Sequence, residues 1–156
     1  TLNYLAADRP DIQFAVKELR RKMSNPGSAD WAGLKRLGRY LLGVPRRVLL
    51  FPFQELPGEL EVWTDTDFAG CRETRKSTTG GVGMLGRHRL KSWGSTQDVV
   101  ALSSGESEYY GIVRGSAQGL GLKSMMLDFG LELKLAVRTD ASAAKGITCR
   151  MGARQD

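Results

Sequence analysis

The chain predicts a mixed α/β fold, and three observations carry that expectation. The stretch 59–70 starts with alternating apolar and polar side chains, as a strand with one buried face does, and ends in two carboxylates and a glycine turn. Residues 80–85 and 89–93 then flank Gly86-Arg87-His88 in a hairpin pattern. A long helical stretch from about Ser104 to Phe129 leads into a further strand pattern over residues 132–139. A strand–helix–strand crossover makes a parallel pair, and a hairpin adds antiparallel neighbours. The expected sheet has three antiparallel strands and a fourth parallel to the first.

The bulk properties suit one ordinary domain with an appendage. The chain has 156 residues, 41% of them apolar, enough for a packed core. The net charge of +6 lies wholly in residues 1–50, which hold 10 Lys or Arg against 4 Asp or Glu; residues 51–156 hold 13 of each. A basic segment joined to a neutral one suits a polyanionic partner such as nucleic acid, or is a solvated helix face. Cys71 and Cys149 lack metal-ligand spacing, and no secretory context favours a disulfide. No apolar run approaches a membrane span, so an intracellular chain that does not engage a membrane is expected.

Taken in order, residues 2–24 predict two helical pieces broken at Pro10. Asp11 is the expected cap of the second piece, whose apolar stripe is Ile12, Phe14, Ala15, Leu19 and Met23. Pro26-Gly27 ends it. A helix starting at Ser28 or Asp30 carries Trp31, Leu34, Leu37 and Tyr40 on its apolar face, and stops at Gly43 and Pro45. Residues 46–53 read as a strand, Pro57-Gly58 as a turn and residues 71–79 as a polar, basic loop. Trp93 is expected in the core and His88 in an exposed turn. Residues 99–102 are a short extended lead into the long helix, with Ser104 as its N-cap. Gly111, Gly115 and Gly119 lie four apart on one line of that helix, a pattern that allows close packing on a sheet. Ala141 to Ile147 read as the start of another helix.

Asp65 and Asp140 each end a predicted strand, and Glu108 lies one turn into the helix between them. The ends of neighbouring parallel strands lie side by side. If the first helix turn packs over them, three carboxylates meet. Two carboxylates about 5 Å apart repel by roughly 3 kcal/mol at an effective dielectric near 20. Such a group calls for a cation. Mg²⁺ fits, since it takes oxygen ligands and pairs with phosphate. Two such ions can activate water and stabilise the leaving oxygen of a phosphodiester. Arg72, Arg75 and Lys76, with Ser77, Thr78 and Thr79, can hold a phosphate backbone beside the site or form a soluble loop.

These residues resemble the end of the Pol polyprotein of copia-type LTR retrotransposons. Tyr4-Leu5-Ala6, Arg9-Pro10-Asp11-Ile12 and Ala15-Val16 are similar to that family's YLA, RPDI and AV elements. Met23-Ser24-Asn25-Pro26, Trp31, Lys35-Arg36 and Arg39-Tyr40-Leu41 continue in order. Asp65-Thr66-Asp67-Phe68-Ala69-Gly70 resembles DADWAG, with Phe68 for Trp, and Arg75 to Gly80 matches R-[RK]-S-T-[ST]-G. Ser92-Trp93 resembles SW, and residues 100–109 resemble VALSSTEAEY. Asp140, with Ser142 and Ala143, matches D-N-x-x-A with Ala141 in place of Asn.

The resemblance implies a ribonuclease H-like mixed sheet with helices in residues 51–156, preceded over residues 1–50 by the helical tail of a reverse transcriptase or its connection segment. It implies cleavage of the RNA strand of an RNA–DNA hybrid with Mg²⁺, or Mn²⁺ in its stead. Asp65, Glu108 and Asp140 would be the catalytic metal ligands, and Asp67 a supporting neighbour. Arg75, Lys76, Ser77 and Thr78 would contact nucleic acid. An upstream reverse transcriptase domain of the same polyprotein would be the partner, in cytoplasm or a virus-like particle. The family's fifth strand, with its further acid, and its closing helix are not found in residues 148–156, so the domain is expected to be incomplete. His88 is no substitute for that acid. The alternative function is an inactive retroelement remnant that at most binds nucleic acid. A sugar-nucleotide enzyme using Asp65-x-Asp67 rests on the short motif alone.

Overall fold

The computed structural model describes residues 2–140 and Gly146. It divides into two compact units, Thr1–Leu50 and Phe51–Asp156.

The first unit is helical. Helix α1 spans Leu2–Asp8, a 3-10 turn Pro10–Ile12, α2 Gln13–Arg21 and α3 Ser28–Gly43. Its core is Ala6, Ile12, Val16 and Leu37, flanked by Leu2, Ala15, Leu19 and Leu41. The expected stripe is thus corrected: Phe14 and Met23 are exposed, and Val16 is buried. At about 100° per residue, Phe14 lies on nearly the opposite side of the helix from Ile12, whereas Val16 and Leu19 fall under it. Trp31 is also exposed, so Leu37 rather than Trp31 anchors α3.

Asp11 caps nothing. The N-cap of α2 is Ile12, with no side-chain cap. Instead, Arg9 Nε and Nη2 donate to the two Asp11 carboxylate oxygens at 3.0 and 2.8 Å, and the Tyr40 hydroxyl donates to Oδ2 at 2.7 Å. Arg9 also donates to the Val44 and Pro45 carbonyls, just past the end of α3. The start of α3 is held by Asp30, whose carboxylate accepts from the Gly27 N–H at 2.8 Å.

The second unit is a four-stranded sheet in the order β3-β2-β1-β4. Strand β1 spans Glu59–Asp67, β2 Thr78–Leu85, β3 His88–Thr96 and β4 Lys134–Arg138, with helix α4 over Ser104–Asp128. Strands β1, β2 and β3 are antiparallel in sequence, and β4 is parallel to β1, as expected. The hairpin turn is Gly86-Arg87, with Gly86 at φ +56°, and His88 already pairs with Leu85.

Residues 46–53 form no strand, contrary to expectation. Both edges of β1 are taken by β2 and β4, so no ladder partner remains beside it. The segment is pinned by side chains. Gln54 Nε2 donates to the Leu85 carbonyl and to His88 Nδ1, and its Oε1 accepts from the Arg87 N–H. His88 Nε2 meets the Pro52 carbonyl at 2.7 Å, so its ring clasps this segment rather than standing free in a turn. Residues 99–102 are likewise not a strand.

Helix α4 packs on the face of β1 that carries Leu60, Val62, Thr64 and Thr66, all buried. Leu60, Leu122, Met126 and Leu133 form its core, and Trp93, half-buried, covers Gly81. The glycine line runs along the strand. A Cβ on Gly111 would come within 2.6 Å of Thr66 Oγ1, one on Gly115 would strike the Thr64 methyl, and one on Gly119 would come within 3.0 Å of Val62. Four helical residues rise about 6 Å, close to the advance of two strand residues, so each glycine meets the next inward-facing side chain. The N-cap is Ser103, not Ser104. Its hydroxyl accepts from the Glu106 N–H, while Glu106 accepts from the Leu102 N–H. Residues 141–147, where a further helix is expected, are outside the described residues apart from Gly146.

Candidate functional site

The alternation of β1 separates its side chains. The even-numbered residues of 60–66 are buried under α4, and Trp63, Asp65 and Asp67 are exposed on the other side. Asp65 Oδ1 accepts from the Thr66 N–H at 2.8 Å. In the parallel pairing of β1 and β4, Trp63 is level with Arg138. Continuing that register by two residues sets Asp140 level with Asp65. Both aspartates line one cleft of about 580 Å³ with Trp63, Gly80, Gly81 and Thr139.

Glu108 approaches the same strand end from α4. Its Oε2 is buried, with no close hydrogen-bond partner among the described residues. Burial raises the Glu108 pKa, and the negative charges of Asp65 and then Asp140 raise it further; the nearby Thr66 amide and hydroxyl act in the opposite sense. Both aspartates therefore act electrostatically on Glu108. Among the described residues, no group of three or more His, Cys, Asp or Glu side chains is gathered tightly enough to form a metal cage. The donor chemistry still fits a hard divalent cation. All donors are carboxylate oxygens, and Glu108 Oε2 is a buried acceptor without a close hydrogen-bond partner among the described residues.

Asp67 stands at the end of β1 and is exposed. Its carboxylate folds over Gly70, filling the space that a Cβ would take there. Asp67 thus shapes the turn after β1, and Gly70 is required by that close approach. The loop beyond is built from backbone bonds between Cys71, Arg75 and Lys76, with Arg75 at φ +55°. Arg72 and Arg75 are exposed and Lys76 is half-buried. Ser77 is fully buried, and its hydroxyl accepts from the Ala69 N–H at 3.0 Å, so it belongs to the scaffold of the loop. Thr78 opens β2 opposite Asp67.

One residue at this end went unnoticed in the sequence. Gln97, just past β3, is buried and bonded to both β2 and α4. A lone glutamine between a strand and a helix carries no sequence signal of such a role.

No protein-family model matches the chain, and no solved structure matches it. Over 135 residues, 85% of its length, it is 36% identical to the retrovirus-related Pol polyprotein from transposon RE2 of Arabidopsis thaliana. Over 130 residues it is 32% identical to the retrovirus-related Pol polyprotein from transposon TNT 1-94 of Nicotiana tabacum. It spans only 9% and 10% of those polyproteins. It is also 32% identical over 118 residues to the secreted RxLR effector protein 161 of Plasmopara viticola, covering 82% of that protein and 76% of this chain.

Proposed function

The chain belongs to the retrovirus-related Pol polyproteins of copia-type retrotransposons, and from that premise we propose that residues 51–156 act as a ribonuclease H unit. Its substrate is the RNA strand of an RNA–DNA hybrid formed during reverse transcription. The observation that supports this reading is that Asp65 and Asp140 line one cleft and that the charges of both raise the Glu108 pKa from the helix side. Asp65, Glu108 and Asp140 would hold Mg²⁺, or Mn²⁺ in its stead. Such ions supply an activated water and a stabilised leaving oxygen for phosphodiester hydrolysis. Arg75 and Lys76, with Arg72, offer positive charge to the substrate backbone next to the cleft. Thr78 stands at the base of the same loop.

The first unit, as the helical tail of a reverse transcriptase, would add non-specific affinity. Its Lys35, Arg36 and Arg39 are exposed on α3 and make no ion pair among the described residues. The upstream polymerase domain would be its covalent partner.

A labelled RNA–DNA hybrid incubated with the full chain and Mg²⁺ tests the reading. RNA cleavage is expected from the wild type and not from Asp65→Asn or Glu108→Gln. Absence of wild-type cleavage, or cleavage that survives Asp65→Asn, overturns it. The second reading is a nucleic-acid binder without turnover, favoured by the lack of a formed metal cage among the described residues. Binding would then be salt-dependent and indifferent to EDTA.

A further inference from the structure

We propose that Gln97 is the positioning residue that fixes Glu108 over the end of β1, an inference that rests on the ribonuclease reading above. Gln97 follows the last residue of β3 and is 8% exposed. Its backbone N–H donates to the Ser77 carbonyl at 2.8 Å, which fixes where the residue sits. Its side-chain amide then reaches in two directions. Nε2 donates to Thr79 Oγ1 at 2.9 Å and to the Ser107 carbonyl at 2.9 Å. Both amide protons are used by these bonds.

The two acceptors are the informative part. Ser107 immediately precedes Glu108 in α4. Thr79 pairs across β2 and β1 with Thr66, the neighbour of Asp65. One NH₂ group therefore ties the helix turn that carries Glu108 to the strand beside the one that carries Asp65. The Ser103 and Glu106 caps hold the helix start to its own lead-in, not to the sheet. Among the described residues the Thr66 and Ser107 hydroxyls have no hydrogen-bond partner within bonding distance, although Thr66 on β1 also acts on Glu108. The glycine at position 111 lets the helix sink toward Thr66 but supplies no directional bond. Gln97 supplies it, and with it the rotation that points Glu108 at the two aspartates.

Gln97→Met keeps approximate length and volume while removing both donors. Thr79→Val removes one acceptor without changing shape, and serves if the first variant folds poorly. The full chain of each variant is compared with wild type and Asp65→Asn. Direct Mn²⁺ binding is followed by loss of the free-ion electron paramagnetic resonance signal, without substrate, beside steady-state cleavage of an RNA–DNA hybrid. Losing an outer hydrogen bond of this kind typically costs 10–100-fold in metal affinity or activity. Roughly tenfold weaker Mn²⁺ binding and a lower kcat, with KM for the hybrid unchanged, are expected for Gln97→Met. A smaller change of the same sign is expected for Thr79→Val. If folded Gln97→Met, or Thr79→Val in its stead, binds Mn²⁺ and turns over like wild type while Asp65→Asn loses the ion, Gln97 does not position Glu108 and the ribonuclease reading stands. If Asp65→Asn also binds Mn²⁺ like wild type, the carboxylate site itself is refuted and this inference falls with it.

Discussion

Gly115 on α4 lies so close to Thr64 on β1 that an added Cβ would collide with the threonine methyl group. This contact sets the height of the helix above the strand. A glycine in a helix interior costs roughly 1 kcal/mol relative to alanine. Here that cost is offset by the close packing it permits. Gly115→Ala is expected to lower stability by about 1–3 kcal/mol through overpacking, despite its better helix propensity. Gly121, in the same helix, has nothing within 4 Å of its would-be Cβ. Gly121→Ala should raise stability by up to about 1 kcal/mol. Urea unfolding of the two variants checks both signs.

Glu108 gives a pH prediction. Its pKa is raised in the folded chain by burial and by the charges of Asp65 and Asp140. A carboxyl whose folded pKa exceeds its unfolded value opposes folding when ionised. Its contribution is therefore most favourable below the ordinary glutamate range, and is lost as pH rises through the folded pKa. Without divalent ions, Glu108→Gln should raise the Tm at pH 7, and the gain should vanish toward pH 4. Saturating Mg²⁺ should cancel or reverse the gain by stabilising the wild type alone. Thermal melts with EDTA and with Mg²⁺ at both pH values provide the check.

What the sequence could and could not disclose follows from the range of each interaction. Strand alternation is local, so β1 and the hairpin were readable to within a few residues. The crossover rule then places the end of β1 beside the end of β4, the relation that their parallel register has. Residues 46–53 failed for the opposite reason. Their composition suits a strand, but whether a ladder partner exists is decided by β2 and β4, far along the chain. The cap of α4 lies one residue before the expected Ser104, and Ser103-x-x-Glu106 has the spacing of a capping box. Asp11 looked like a cap because Asp before a helix usually is one. Its Tyr40 partner depends on the return of α3, and Arg9, though only two residues away, is itself held by the carbonyls just past that helix.

The Arg9–Asp11 pair makes its own prediction. Hydrogen bonds from Arg9 and Tyr40 hold the Asp11 carboxyl well below the usual carboxylate range. A depressed folded pKa contributes stability above the unfolded value and loses it as pH falls through the folded one. Asp11→Asn should therefore lower the Tm at pH 7, and the difference from wild type should shrink as the pH falls below 4. Arg9→Lys should also destabilise, because a point ammonium cannot span both oxygens and the two carbonyls beyond α3. Melting curves across this pH range test the sign.

The basic excess of the first unit is testable apart from catalysis. Its acids are mostly spoken for locally: Asp11 by Arg9, Glu18 by Lys17 and Arg21, and Asp30 by the start of α3. Lys35, Arg36 and Arg39 have no ion pair among the described residues and stand exposed beside Trp31. If they contact phosphates, each releases counterions, and log K falls with log salt by about 0.9 per contact on a duplex. Replacing all three by glutamine should weaken hybrid binding and reduce the salt slope by about 2–3, leaving the melting curve near that of wild type. Fluorescence anisotropy at several salt concentrations measures the slope. An unchanged slope would mean that these three residues only solvate the helix and have no part in holding nucleic acid.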